Sequence, residues 1–357
     1  MHILRRAAAR AAVFLAGFLM LPLAADGHHS VGAVYDVAKV MELEGPVTRV
    51  VWRNPHVRFT VRARNDRGQD VLWDVETHSV SILRRMQVSP DVLKVGDRVR
   101  VAGNPGRRGG TAFFAHNLLL PGGQEVLLQP GTAARWSKNT VGRADTWLAK
   151  AGKPGASLGI FRVWSSSLAD PFLFGGPLDG KPEANRFPLT PAAQAAVGRF
   201  DHATDDPTRN CAPKGMPTIM EQPYPMELVR QGDAILLRLE EYDTVRTIDM
   251  APRAKVDSLP KTLLGRSTGR WDGETLVVTT SRIDWPYFDP SGVRQGPSST
   301  IVERFTPTSD GTHLNYTMTV TDPVTFTSPL ELSRSWVWRP DETVKPYNCV
   351  EAGSLRR

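Results

Sequence analysis

The chain has 357 residues, 41% hydrophobic and 23% charged, with a formal net charge of +7 and two cysteines. That balance belongs to a folded chain rather than a disordered or collagen-like one, and the length exceeds what one hydrophobic core usually supports, so two domains are expected. There is no Lys/Arg block, Gly-rich phosphate loop, dinucleotide fingerprint or cysteine-rich zinc spacing, which argues against nucleic-acid, nucleotide and structural-zinc functions.

Residues 1–27 read as a cleavable secretory signal peptide. Arg5, Arg6 and Arg10 form a charged start, Ala11–Leu23 an apolar run too short for a comfortable bilayer span, and Ala25 and Gly27 a small-residue exit. The expected address is the periplasm or the exterior, with no transmembrane helix in the mature protein. Removing the leader takes three Arg and one Asp with it, so the charge falls from +7 to +5. In an oxidising compartment Cys211 and Cys349 are expected to form a disulfide, with two buried free thiols as the alternative.

Residues 28–124 read as a small β domain. Strand-like runs cover Met41–Trp52, His56–Arg64, Val71–Val75, Arg98–Ala102 and Thr111–Leu120, separated by turn signals such as Asn54-Pro55 and Asp66-Arg67-Gly68. A short helix is expected within Ser79–Val92. Three strands, a helix and two strands is the order of a five-stranded barrel of the OB kind.

Residues 125–205, rich in Gly, Pro, Ala and Ser, read as a linker draped over the second domain. Gly159–Ser165 within it is strand-like, and Thr190–Phe200 a helix capped by Thr190 with Pro191 at its first position. Residues 206–357 return to β text in eight runs: Met226–Gln231, Ile235–Tyr242, Val245–Met250, Gly265–Trp271, Thr275–Ser281, Ser299–Thr306, His313–Thr321 and Leu330–Trp338. Hairpin order favours an antiparallel up-and-down barrel of lipocalin-like form, since closure removes sheet edges; a two-sheet sandwich is the alternative.

His28-His29-Ser30, Gly45, Val47, Trp52 and Asn54-Pro55-His56 resemble a family of uncharacterised secreted bacterial proteins, which implies an OB-like fold there. Asp205–Pro217, QPYPMELV, Glu241–Met250, Gly265–Val278, Val302–Phe305 and Pro346–Glu351 resemble a second uncharacterised family, which often has His where this chain has Arg266. Neither resemblance implies a reaction.

Histidines carry the sharpest chemical signal. Cleavage after Gly27 makes His28 the first residue, whose amine and imidazole can chelate copper in a site completed by His29, His56 or His116. Cleavage after Ala25 gives Asp26-Gly27-His28, whose third-position His binds Cu(II) or Ni(II) with the amine and backbone amides. The competing reading is a solvated tail and a His56 that caps a turn, and His78 is the least constrained of the histidines.

In the second domain, charges interrupt apolar strands. Glu241, Glu303, Arg246 and Arg270 are candidates for acid/base work, and Tyr242, Trp271, Asp284 and Tyr287 for ligand contacts at a cup or its rim. The alternative is that Glu–Arg pairs close the barrel and fix its register. Gly265-Arg266-Ser267-Thr268-Gly269 matches the nucleophile elbow of hydrolases, but a strand rather than a helix comes after it, so Ser267 is not expected to be a nucleophile. The sequence thus suggests an exported binding or accessory protein with a small-molecule or metal ligand. A cofactor-independent isomerase or hydrolase is second, and a docking protein third.

Overall fold

The computed structural model describes residues 31–142, 159–166, 173 and 187–350. The leader, His28 and His29 lie outside that range. Among the described residues no helix is long and apolar enough to cross a membrane.

The first domain is the expected five-stranded barrel. Strands β1 (Met41–Val51), β2 (Arg58–Arg64), β3 (Asp70–Glu76), β4 (Arg98–Pro105) and β5 (Ala112–Leu119) run in the order β3-β2-β1-β4-β5, and β3 pairs with β5 to close the ring. The two-residue period of each strand sends Leu43, Val47, Phe59, Val61, Trp73, Val75, Val99, Val101 and Phe113 inward to one core. Gly103 sits at the irregularity where β4 bends along β5, and a Cβ there would meet the Phe114 carbonyl oxygen at 1.9 Å. Helix Val80–Arg85, capped by Ser79, connects β3 to β4.

The region read as a linker contributes strands to both domains. β6 (Glu125–Leu127) and β7 (Thr140–Val141) extend the first sheet beyond β5. Buried Glu125 explains the order there: it accepts bonds from the Asn117 side chain and from the amides of Arg135, Trp136 and Ser137 at 2.7–2.8 Å. β8 (Val163–Ser165) belongs to the second barrel, between the last strand and the first of the eight expected runs. Its three residues are too short for a period to show, which is why composition dominates that stretch.

The second barrel is closed, so the sandwich alternative falls. Beside β8 it holds β9 (Met226–Gln231), β10 (Ala234–Leu239), β11 (Thr244–Asp249), β12 (Arg266–Asp272), β13 (Thr275–Ser281), β14 (Thr300–Pro307), β15 (His313–Thr321) and β16 (Leu330–Trp338). It has nine strands rather than eight, and β11 pairs with β12 in parallel, so it is not a pure up-and-down ring. β10 ends at Leu239, short of the expected Tyr242, because residues 240–243 form the turn into β11, with Tyr242 and Asp243 in left-handed backbone. The segment around Thr218–Glu221 packs Met216, Ile219 and Met220 into the same core as Phe305, Met318 and Trp336.

Helix Val80–Arg85 is also the main bridge between the barrels. Arg85 donates to the carbonyls of Pro223 (3.0 Å) and Ser166 (3.3 Å) and pairs with Glu342 at 3.1 Å. Ser81 bonds to the buried carboxylate of Glu240, which also takes Arg84 at 3.1 Å. The chain after β16 returns to the first barrel, whose core takes in Tyr224 and Tyr347. Cys211 and Cys349 form the expected disulfide, with Cα atoms 5.8 Å apart.

Candidate functional site at the seam of the barrels

Glu76 stands opposite Arg58 in the β2–β3 register. The neighbours Phe59 and Val75 fill the core, so this pair occupies the outer face of the first barrel. Glu76 is nonetheless fully buried. Its carboxylate lies 2.9 Å from His56 Nδ1 and 3.0 Å from Arg58 Nη1, and accepts from the Tyr35 hydroxyl at 3.2 Å. Tyr35 closes the short helix Val31–Val34, which Arg107 fixes by donating to the Gly32 carbonyl at 2.6 Å.

Two further histidines flank the same face. Phe114 meets Tyr35 at 5.5 Å, His78 at 5.4 Å and His116 at 6.0 Å between ring centroids, the imidazoles edge-on. Burial, reinforced by His56 and His116, holds the His78 imidazole down to about 3, and burial holds His116 down to about 4. Both rings are therefore neutral at pH 7, the form that offers a lone pair to a metal. His56 and His116 thus share one neighbourhood with His78, which sequence reasoning ranked last. Among the described residues, no three His, Cys, Asp or Glu side chains group to hold a metal ion.

The second barrel brings Glu241 and Tyr242 to this seam. Lying in the turn after β10 rather than on a strand, Glu241 is fully buried and accepts from Lys214 Nζ at 2.9 Å. Burial pushes its carboxyl above the usual range; Lys214 and, more weakly, His56 oppose that shift. The Tyr242 ring lies tilted against Tyr347 at 5.1 Å, and Tyr347 tilted against Tyr224 at 5.6 Å, between centroids; burial raises all three phenols. Candidates from both domains, His56 with Glu241 and Tyr242, therefore converge. The Asn54-Pro55-His56 and Pro346–Cys349 motifs meet as well: Asn54 Nδ2 donates to the Tyr347 carbonyl at 2.6 Å and its Oδ1 accepts from Val80 N at 2.9 Å.

Arg246 and Glu303 form a separate network inside the second barrel. Both are buried inward-facing strand residues and pair end-on through both guanidinium Nη atoms, with Nη1 2.8 Å from Glu303 Oε1. Arg246 also donates to Ser267 Oγ at 3.1 Å and Thr280 Oγ1 at 2.7 Å, and the Tyr316 hydroxyl donates to Glu303 at 2.8 Å. Burial alone would lower the Arg246 pKa, but Glu303 overrides it and the net shift is upward. Ser267 is thus a hydrogen-bond partner on a strand, and a Cβ on Gly269 would meet Met250 Sδ at 2.5 Å and Ile248 Cγ2 at 2.7 Å.

The remaining candidates lie elsewhere. Arg270 and Trp271 are exposed at the end of β12, Trp271 edge-on to Phe161 at 6.2 Å, so neither faces the barrel interior. Strand alternation turns Arg270 outward from the side of Ser267, and Trp271 reaches the barrel end. Asp284 is exposed, whereas Tyr287 is buried against Phe200 at 5.0 Å beneath Arg294. Sequence reasoning missed Tyr35, Glu76, Lys214, Tyr224 and Tyr347 as site residues, although the last three lie in the Asp205–Pro217, QPYP and PYNC motifs.

No curated protein matches the chain. A family model described as a family of unknown function (DUF6152) matches residues 17–114, a span that holds the described helix Val31–Val34, β1 to β4 and the start of β5, and with them Tyr35, His56, Glu76 and His78 of the seam.

Proposed function

We propose that the protein is exported, loses residues 1–27, and works as a copper-binding accessory protein through its new amino terminus. The single observation that carries this reading is the anchoring of the segment just after His28-His29. Tyr35 is tied to Glu76, the carboxylate in contact with His56, and His78 and His116 flank the same face. The His28 amine and imidazole would supply two nitrogens, and His29, His56 or His116 the rest, a donor set that suits copper. Glu76 beside His56 Nδ1 would orient that ring and fix its tautomer, with Nε2 as the ligating atom.

The enzyme reading has less support. Arg246 and Glu303 satisfy one another and their neighbours, as expected of a pair that fixes barrel register. Arg270 is distant in orientation and solvent-exposed.

The test uses mature protein beginning at His28, freed of metal and titrated with Cu(II) under competition. One equivalent should bind with a nitrogen-rich electron paramagnetic resonance spectrum. His56→Ala should weaken binding at least about tenfold, and one extra Ala ahead of His28 should change the spectrum. Equal affinity and unchanged spectra in all three proteins would overturn the proposal.

A further inference from the structure

After β16 the chain runs without a strand from Arg339 to Val350 and leaves its own barrel. The tail is held as far as Tyr347 by that buried ring, which packs against Tyr224 and Tyr242, and by the pair of Glu342 with Arg85. Lys345 N donates to Glu240 at 3.1 Å, Tyr347 N to Asp243 at 2.9 Å, and Val350 N to the Asn54 carbonyl at 3.0 Å, beside the bond from Asn54 to the Tyr347 carbonyl. Cys349 pairs with Asn54 as an isolated bridge and is joined to Cys211.

Three features set this disulfide apart from a staple of the core. Both cysteines are only partly buried. Cys211 has φ 56° and Asn348 φ 49°, in the left-handed region, which a residue such as cysteine adopts at a cost. The ring of nine strands is also complete without it, since every neighbouring pair is hydrogen-bonded and β16 ends before the tail begins. Breaking the bond therefore frees the residues beyond the Tyr347 anchor and leaves the barrel closed.

We propose that Cys211–Cys349 is a reducible clasp, opened by an external dithiol, whose opening loosens residues 348–350 from Asn54 at the edge of the seam and leaves the buried Tyr347 ring in place. A thiolate of the dithiol attacks one cystine sulfur and forms a mixed disulfide, while the other cysteine leaves as a thiolate. The second thiol of the reagent then displaces the first cysteine. The cystine gains two electrons and two protons, and the reagent departs as its own disulfide. This does not depend on copper.

The experiment records backbone amide order parameters of the full mature chain, oxidised, reduced with dithiothreitol, and as Cys349→Ser. In the reduced protein and the variant, residues 348–350 should fall from rigid values of about 0.85 to below about 0.6, and the Val80 amide signal should shift, while Tyr347 and β12 to β15 keep their values. Unchanged order at residues 348–350 in both would overturn the clasp, because they would then be held without the bond. Collapse of the β12 to β15 signals would overturn it too, because the bond would then secure the whole barrel.

Discussion

Arg246 and Glu303 take the inward positions of β11 and β14, while Val245 and Val302 face solvent. Two charges inside a barrel persist only as partners. Replacing one of them, as Glu303→Leu or Arg246→Met, should cost about 3–5 kcal/mol in urea unfolding, and the double replacement should cost far less, because no charge is left stranded. Equal, additive costs would rule out the mutual dependence. His78 provides a pH test. Its folded-state pKa is lowered from 6.5 to about 3, so the unfolded chain binds the proton first as pH falls. Stability from this ring is complete above pH 6.5 and is lost progressively between 6.5 and 3. His78→Phe should make that part of the stability profile shallower, measured by urea midpoints between pH 7 and 4, with the slope from His116 remaining. Inward charges were legible from strand parity, and a Glu–Arg pair was expected. Which Arg would serve was not, since Arg246 and Arg270 look alike until the ring closes.

Among elements, the turn after β10 and the tail after β16 join the barrels together with helix Val80–Arg85. The sequence extended β10 to Tyr242, which would have put Glu240 and Glu241 on a strand. Left-handed backbone at Tyr242 and Asp243 makes a turn instead, and Glu240 and Glu241 meet the seam from it. Strand boundaries elsewhere were readable to within a few residues because the two-residue period and the turn residues agree. β8 was not recognised as a barrel strand, since three residues in a Gly/Pro-rich stretch carry no period and its partners, β9 and β16, lie far along the chain. Asn54 binds the start of helix Val80–Arg85 and the tail at once. Asn54→Ala should cost about 1–3 kcal/mol, because it strands the buried Tyr347 carbonyl and the Val80 amide. Asn65→Ala, in an exposed hairpin turn, should change stability by no more than about 0.5 kcal/mol. Equal urea midpoints for the two variants would refute the special role of Asn54.

Across the whole molecule, the two closed barrels interlock. Tyr224 and Tyr347, encoded in or after the second barrel, complete the core of the first, and helix Val80–Arg85 of the first is gripped by the second. His56 from one and Glu241 from the other thereby share a seam that neither half's sequence describes alone. The family match covers part of this, over residues 17–114, and carries no activity with it. The proposed function of the seam rests on the segment Val31–Tyr35, which the Tyr35 hydroxyl ties to Glu76. The most direct measurement is intact mass and copper content on one sample, made with the chain's own leader and recovered from the periplasm. The expected result is a mass that starts at His28 with about one equivalent of copper, lost on dialysis against a strong chelator. A chain that starts at His28 and carries no copper, even after incubation with Cu(II), would contradict it.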